Sequence, residues 1–470
     1  MFVKRRRIPP PLWGAIGIIA GLVLVFLIMA PRLVEITPAP EDETASASPI
    51  IRLTFSRPMD RSSVETGLVF DPPMTGSMTW EDQTLIFRPD QAWEHGQNVQ
   101  VNLAGGSRSI RWLPVLGSHS WSFTIGAPRF LFLYPADGRA NIYIQAIDST
   151  VPQQLTTSEF GVEEYTRSLN GYTLVYSQRR EDGGIDFYLL DILEGEDRLL
   201  YNCPIDMTCQ APVLSPDNAF LAFEQAEYSI SDTGRRLSGP SRVMLLSLEE
   251  EAEPQVVSDN THIASTPVWS PAGLLAFYDN SLRAVVLIDP QSENFNALNY
   301  IPNNVGVVGD WSPDGDYLVL PDILLLQQTE EEQGGEDPPF FSHLFQVDTA
   351  TGRTLDLSAF SGYFVEDLSP AYSPDGEWIA FARKFLQFSE WTLGRQIWLM
   401  HSDGSNALQL TEDADLNHSA LSWSADGERL IFMLLDRTNL SNSPEIWMLT
   451  IDTGELIQLV VGGYLPRWVD

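Results

Sequence analysis

The chain has 470 residues, with 63 Asp plus Glu against 28 Lys plus Arg, a formal net charge of −35 at pH 7. A surface this acidic repels nucleic acid, which is bound through basic patches that displace counterions, so no nucleic-acid partner is expected. The excess acid reads instead as a solubilising surface.

The N-terminus opens on a basic tip, residues 1–11, holding Lys4, Arg5, Arg6 and Arg7. Residues 12–30 follow without a charge and are rich in Ile, Leu, Val and Gly. As a helix this run spans roughly 28 Å, about one hydrocarbon core. The basic side stays inside, which puts the N-terminus in the cytoplasm and the rest of the chain outside. A cleaved signal peptide is the alternative. The run exceeds the usual apolar length of ~7–15 residues and no clean Ala-x-Ala follows, so an uncleaved transmembrane anchor is expected. Without the four basic residues of the tip, the charge of −35 becomes −39 for the exported part.

Residues 31–48 read as a linker, with 38–48 rich in Pro, Glu, Ala, Ser and Thr. Residues 49–126 carry short alternating runs at 51–55, 68–70, 77–80, 84–87, 99–103 and 120–124, separated by turn residues. That spacing predicts a β-sandwich. Phe55-Ser56-Arg57-Pro58-Met59-Asp60, then Thr84-Leu85-Ile86-Phe87-Arg88-Pro89 and Trp121-Ser122-Phe123-Thr124, resemble the bacterial Ig-like domains of the SbsA type over residues 36–126. No Cys pair is present there, so the antibody-type disulfide is absent.

From residue 127 to 470 one turn keeps returning. Ser-Pro-Asp-Gly stands at 312–315 and 373–376, with variants at 168–171, 215–218, 270–273 and 424–427. Pro presets the second turn position, Asp tolerates the third and Gly takes positive φ at the fourth; Asn218 is the next-best residue there. An aromatic precedes the Ser at Trp269, Trp311, Tyr372 and Trp423, and apolar strands follow each turn. The turn serines recur every 42 to 61 residues, which suits a four-stranded propeller blade. Ordinary hairpins in a sandwich or β-helix are the alternative, but they need not repeat one turn six times.

The array is offset at its ends. Residues 130–156 lack the aromatic strand before their turn, and Leu465-Pro466-Arg467-Trp468 matches it. The last strand is therefore expected to complete the first blade and clasp the ring. The fold class is all-β: an Ig-like β-sandwich followed by a seven-bladed β-propeller (six if one divergent unit is not a blade), with one N-terminal transmembrane helix. The series Trp311-Ser312-Pro313-Asp314-Gly315, Ile379-Ala380-Phe381, Ile397-Trp398-Leu399-Met400 and residues 403–411 resembles the WD-like repeats of the TolB propeller family over residues 130–470. The resemblance implies a fold. It does not carry TolB's partners across, because the accessory domain differs.

Cys203 and Cys209 are the only cysteines, and a disulfide closing their small loop fits an oxidising compartment. No Gly-x-Ser-x-Gly elbow, His-Glu-x-x-His, P-loop or dinucleotide fingerprint occurs, and the six histidines are scattered. No catalytic, cofactor or metal residues are singled out. Asp413, Asp415 and Asn417 resemble half a calcium loop, but His418 and Ser424 stand where Gly and an acid belong. Two insertions stand out: the acidic stretch 321–340, and residues 384–395 with Phe385, Phe388 and Trp391, a possible binding loop. The expectation is a membrane-anchored extracytoplasmic scaffold for an envelope protein, peptide or glycan, with no evident catalysis. A funnel enzyme of glycosidase or lyase type and a purely structural envelope protein are the alternatives.

Overall fold

The computed structural model describes residues 29–469, apart from 44, 48, 91, 116–118, 169–170, 193–194, 231–235, 249–252, 293–294, 325–340, 360–363 and 387–390. The expected anchor up to residue 28, most of the acidic insertion and Phe388 therefore lie outside the described residues. Among the described residues no helix is long and apolar enough to cross a membrane. The chain divides into two compact units between Ala127 and Pro128.

In the first unit, Leu33–Thr37, Ile51–Phe55, Thr84–Pro89 and Gly76–Glu81 form one antiparallel sheet, in that order. Leu68–Asp71, Asn98–Leu103 and His119–Thr124 form the second. Alternation puts Ile51, Leu53, Phe55, Val99, Val101 and Leu103 inward at 0–2 % exposure, filling the space between the sheets. The segment read from sequence as a linker departs from that reading. Leu33–Thr37 pairs with Ile51–Phe55, and the Glu41 and Ala45 amides donate to the Ser122 and Thr124 carbonyls at 2.8 and 3.3 Å. Pro, Ser and Thr content signals flexibility only where backbone groups find no partner, and here a sheet edge supplies one.

The second unit is a series of sheets. Val162–Arg167, Thr173–Arg179, Ile185–Asp191 and Glu196–Asn202 pair in sequence order, as do Met207–Leu214 through Gln255–Val256, Ala264–Trp269 through Ala297–Pro302, and Leu416–Trp423 through Leu456–Val461. An eight-stranded sheet runs from Asp310–Trp311 to Leu408–Gln409 and is joined at its middle by one parallel pairing, Ser342 with Glu366. The first sheet is completed by Tyr464–Trp468 on Arg129–Tyr134, so the expected pairing of the last strand is present.

Burial falls along each sheet. Middle strands such as Leu275–Asp279 and Ala284–Ile288 are buried throughout, while outer strands such as Glu196–Asn202 are largely exposed. A strand covered on both faces must be continuously apolar. Each apolar cluster joins neighbouring sheets: Ala222 and Leu245 meet Leu275 and Phe277, and Phe130 and Phe132 meet Ile431 and Met448 across the closure. The first strands adjoin one another, Val162–Arg167 against Met207–Leu214 and Leu416–Trp423 against Tyr464–Trp468. Sheets stacked face to face with their first strands together form a β-propeller.

Two devices repeat. In the turn, the Ser373 hydroxyl donates to Asp375 and accepts the Trp378 amide at 2.9 Å, while Asp375 accepts the Glu377 amide at 3.0 Å. Ser215, Ser312 and Ser424 make the same bonds. The second device lies in five strands, Met207–Leu214, Ala264–Trp269, Val365–Tyr372, Leu416–Trp423 and Tyr464–Trp468, where the ladder slips one residue and Ala211, Thr266, Ser369, Ala420 and Leu465 take φ of 50° to 53°. The bulge bends the strand. The aromatic beyond it staples sheets together: the indoles of Trp269, Trp423 and Trp468 donate to the carbonyls of Val213, Ala371 and Ser422, each at 3.0 Å.

Candidate functional site

The two faces of the propeller differ chemically. One is built from the bonded Ser turns just described. The other carries the connections between second and third strands and those leading to the next sheet, and these vary in length and sequence. Irregular connections on a rigid scaffold are where binding groups concentrate.

Between the faces the first strands of the sheets lie against one another. Two residues before each turn serine stand Thr166, Val213, Val268, Ala371 and Ser422, all half-buried beside buried or half-buried neighbours. At the same place in their repeats stand Asp310 and, in the closing strand, Arg467. Asp310 lies deep in the unit, and burial pushes its carboxyl up to about 6 despite amide bonds from Tyr372 and Trp311 and the field of Arg467. Its side chain nonetheless keeps partial solvent exposure. Tyr165, raised chiefly by burial and opposed by Arg467 and Arg167, donates its hydroxyl to the Leu465 carbonyl at 2.6 Å. Glu164, also raised by burial, accepts the Ala211 amide at 2.8 Å. An acid whose pKa lies near neutrality can bind or move a proton.

On the loop face, a cavity of 510 Å³ opens between the first two sheets, lined among others by Arg139, Phe160, Glu163, Arg179, Arg180 and Tyr464. The Arg139 guanidinium donates to the Glu159 carbonyl at 2.8 Å and lies 5.5 Å from the Phe160 ring. Arg179 pairs with Glu163. Arg180 donates to Asp186 at 2.6 Å and to the Cys203 carbonyl at 2.9 Å. Cys203 and Cys209 are joined by a disulfide, Cα–Cα 6.1 Å, and both are fully buried.

The residues of the possible binding loop have separate engagements. Phe385 meets Trp398 edge-on at 5.8 Å, and half-exposed Trp391 takes the Lys384 ammonium 5.0 Å from its ring. Phe388 lies outside the described residues. Asp413 accepts the Asp415 amide at 3.1 Å within the turn, and the Asn417 oxygen accepts the Arg395 amide at 3.3 Å from a separate segment. Among the described residues no group of three or more His, Cys, Asp or Glu is placed to hold a metal ion. Sequence reasoning missed Asp310, Arg467 and the arginine cavity. Aligning repeats on the turn serine would have shown Asp310 and Arg467 as the two charged residues at an otherwise uncharged position. The cavity joins residues 139, 163 and 180 with Tyr464, and only ring closure brings those together.

Residues 28–125 match the bacterial Ig-like domain family. No curated protein matches the chain in sequence. Among solved structures it is similar to TolB from Acinetobacter baumannii, at 13% identity and TM-score 0.44, covering 86% of this chain and 83% of that one. A puromycin-hydrolyzing peptidase of Mycobacterium tuberculosis is similar at 12% identity and TM-score 0.47, covering 90% of this chain and 57% of the peptidase. Oligogalacturonate lyase in complex with manganese is similar at 17% identity and TM-score 0.32, covering 72% and 73%. The chain thus carries a bacterial Ig-like domain over residues 28–125, followed by a β-propeller.

Proposed function

We propose that this protein is a membrane-tethered extracytoplasmic scaffold that binds a protein, peptide or glycan through the loop face of a seven-bladed, TolB-like propeller. The reading of seven blades is supported by dividing the eight-stranded sheet at the one parallel pairing among its described residues, Ser342 with Glu366. The observation that carries the reading is the loop face, whose varied connections hold a 510 Å³ cavity with three arginines; the turn face, built from one repeated self-bonded turn, opens a 340 Å³ cavity beside Ser215, Trp269 and Asp289 that holds no arginine. The tether rests on the uncharged run 12–30 behind a basic tip, and the Cys203–Cys209 disulfide suits an oxidising compartment. Capture from detergent-solubilised envelope tests the scaffold: a reproducible partner supports it, and none would favour a purely structural role. Intact mass of the membrane-extracted chain tests the tether, which loss of about 30 residues would refute.

Asp310, with its raised carboxyl on a strand that adjoins other first strands, favours a second reading, an enzyme acting in the funnel on a glycoside or peptide bond. A turnover that Asp310→Asn abolishes would establish it. Silence across a glycoside and peptide screen would remove it.

A further inference from the structure

In a chain where acids outnumber bases 63 to 28, the cavity between the first two sheets reverses the balance: its charged lining is Arg139, Arg179, Arg180 and Glu163. Arg180 is paired with two carboxylates, Asp182 at 3.1 Å and Asp186 at 2.6 Å, and donates to the Cys203 carbonyl; Asp186 also accepts the Cys203 amide at 3.0 Å, so the disulfide loop buttresses the guanidinium. Gly184 makes room for it, since a Cβ there would fall 2.0 Å from Arg180 Nη2. Arg139 is held from the side by a carbonyl and a ring, and among the described residues it forms no salt bridge, unlike Arg179 and Arg180.

We propose that this cavity is a binding site for a monoanionic carboxylate ligand, with Arg139 as its principal anchor and Phe160 and Tyr464 flanking the body of the ligand. Guanidinium forks match carboxylate geometry. Glu163 inside the cavity disfavours a dianion such as phosphate. A volume of 510 Å³ suits a peptide end or a single acidic sugar. Both sources supply the same carboxylate. The site rests on the loop face being the recognition face.

The test is calorimetric titration of the full chain in detergent, at low ionic strength, with four probes: an acetylated tripeptide acid, its C-terminal amide, a galacturonate disaccharide and its neutral galactose counterpart. The expected result is binding of one acid and not of its neutral partner, which also names the source. Arg139→Ala should weaken that binding about 10-fold or more, leave the melting temperature unchanged, and be partly rescued by Arg139→Lys. Equal binding of acid and neutral probes, no binding at millimolar concentration, or full binding by Arg139→Ala would overturn the site. Envelope capture that Arg139→Ala does not alter would overturn the site while leaving the scaffold intact.

Discussion

The indole N–H of Trp468 donates to the carbonyl of Ser422 at 3.0 Å. It is the same bond that Trp269 and Trp423 make within the array, here used between its last and first sheets. Trp468 is 1% exposed and packs edge-on to Phe130 at 6.4 Å, while Tyr165 reaches the Leu465 carbonyl from the other side. The closing strand is therefore held on both flanks. Trp468→Ala should cost about 3–5 kcal/mol, and deleting residues 464–470 should lower the melting temperature by several degrees. Thermal unfolding monitored by circular dichroism checks both; an unchanged midpoint would refute the clasp.

Arg383 and Asp367 form a bidentate ion pair at 2.7 and 2.6 Å, with both side chains at most 1% exposed. Ser358 also donates to Asp367 at 2.6 Å, and Arg383 lies 4.9 Å from the rings of Phe381 and Trp398. Asp367→Ala strands a buried cation and should cost about 3–5 kcal/mol. Adding Arg383→Met should recover part of the loss, so a double-mutant cycle by urea unfolding should show strong coupling. Additive losses would contradict the pairing.

The Asp310 carboxyl titrates near 6 in the folded chain and near 4 when unfolded. A raised acid stabilises the fold fully below the unfolded value and loses that contribution as pH rises through 6. Asp310→Asn can keep an oxygen for the Tyr372 amide. It should raise the melting temperature at pH 7.5 relative to wild type and have little effect at pH 4. A pH series of melting curves checks this, and an equal shift at both pH values would refute it.

Cys203→Ala with Cys209→Ala opens a loop of six residues' separation. The loop-entropy estimate for so short a closure is about 2 kcal/mol. Reduced and oxidised wild type should differ by the same amount in urea, and thiol titration of denatured, unreduced protein should find none free. Two free thiols would remove the prediction.

Thr266 is β-branched and sits at φ 52° in a bulge whose amide donates to Glu224 at 2.7 Å. Thr266→Gly keeps that amide and relieves a left-handed conformation, so it should stabilise by about 1 kcal/mol. A lower midpoint in urea would show that the threonine side chain carries packing the conformation does not outweigh.

The turn was legible because its chemistry is local: Ser373, Asp375 and Gly376 bond within six residues, and a hexapeptide records that. The apolar second and third strands were legible because burial on both faces forces continuous hydrophobicity, as at Leu275–Asp279. The offset of Trp468 was legible because it copies Trp269, and the structure shows both using the same bond. Leu33–Thr37 was misread because its partner, Ile51–Phe55, is distant enough that local composition says nothing of it. The bulges were missed because alanine, threonine and serine at positive φ leave no residue signature.

Sequence alone determined the repeat, the identity of its turn and the strand that ends it, since each depends on a few neighbouring residues. Only the tertiary structure decided which distant charges act on one another and which arginines share a cavity. Asp310 and Arg467 lie 157 positions apart, and Arg139 and Tyr464 further still; closing the ring brings each pair into one electrostatic environment.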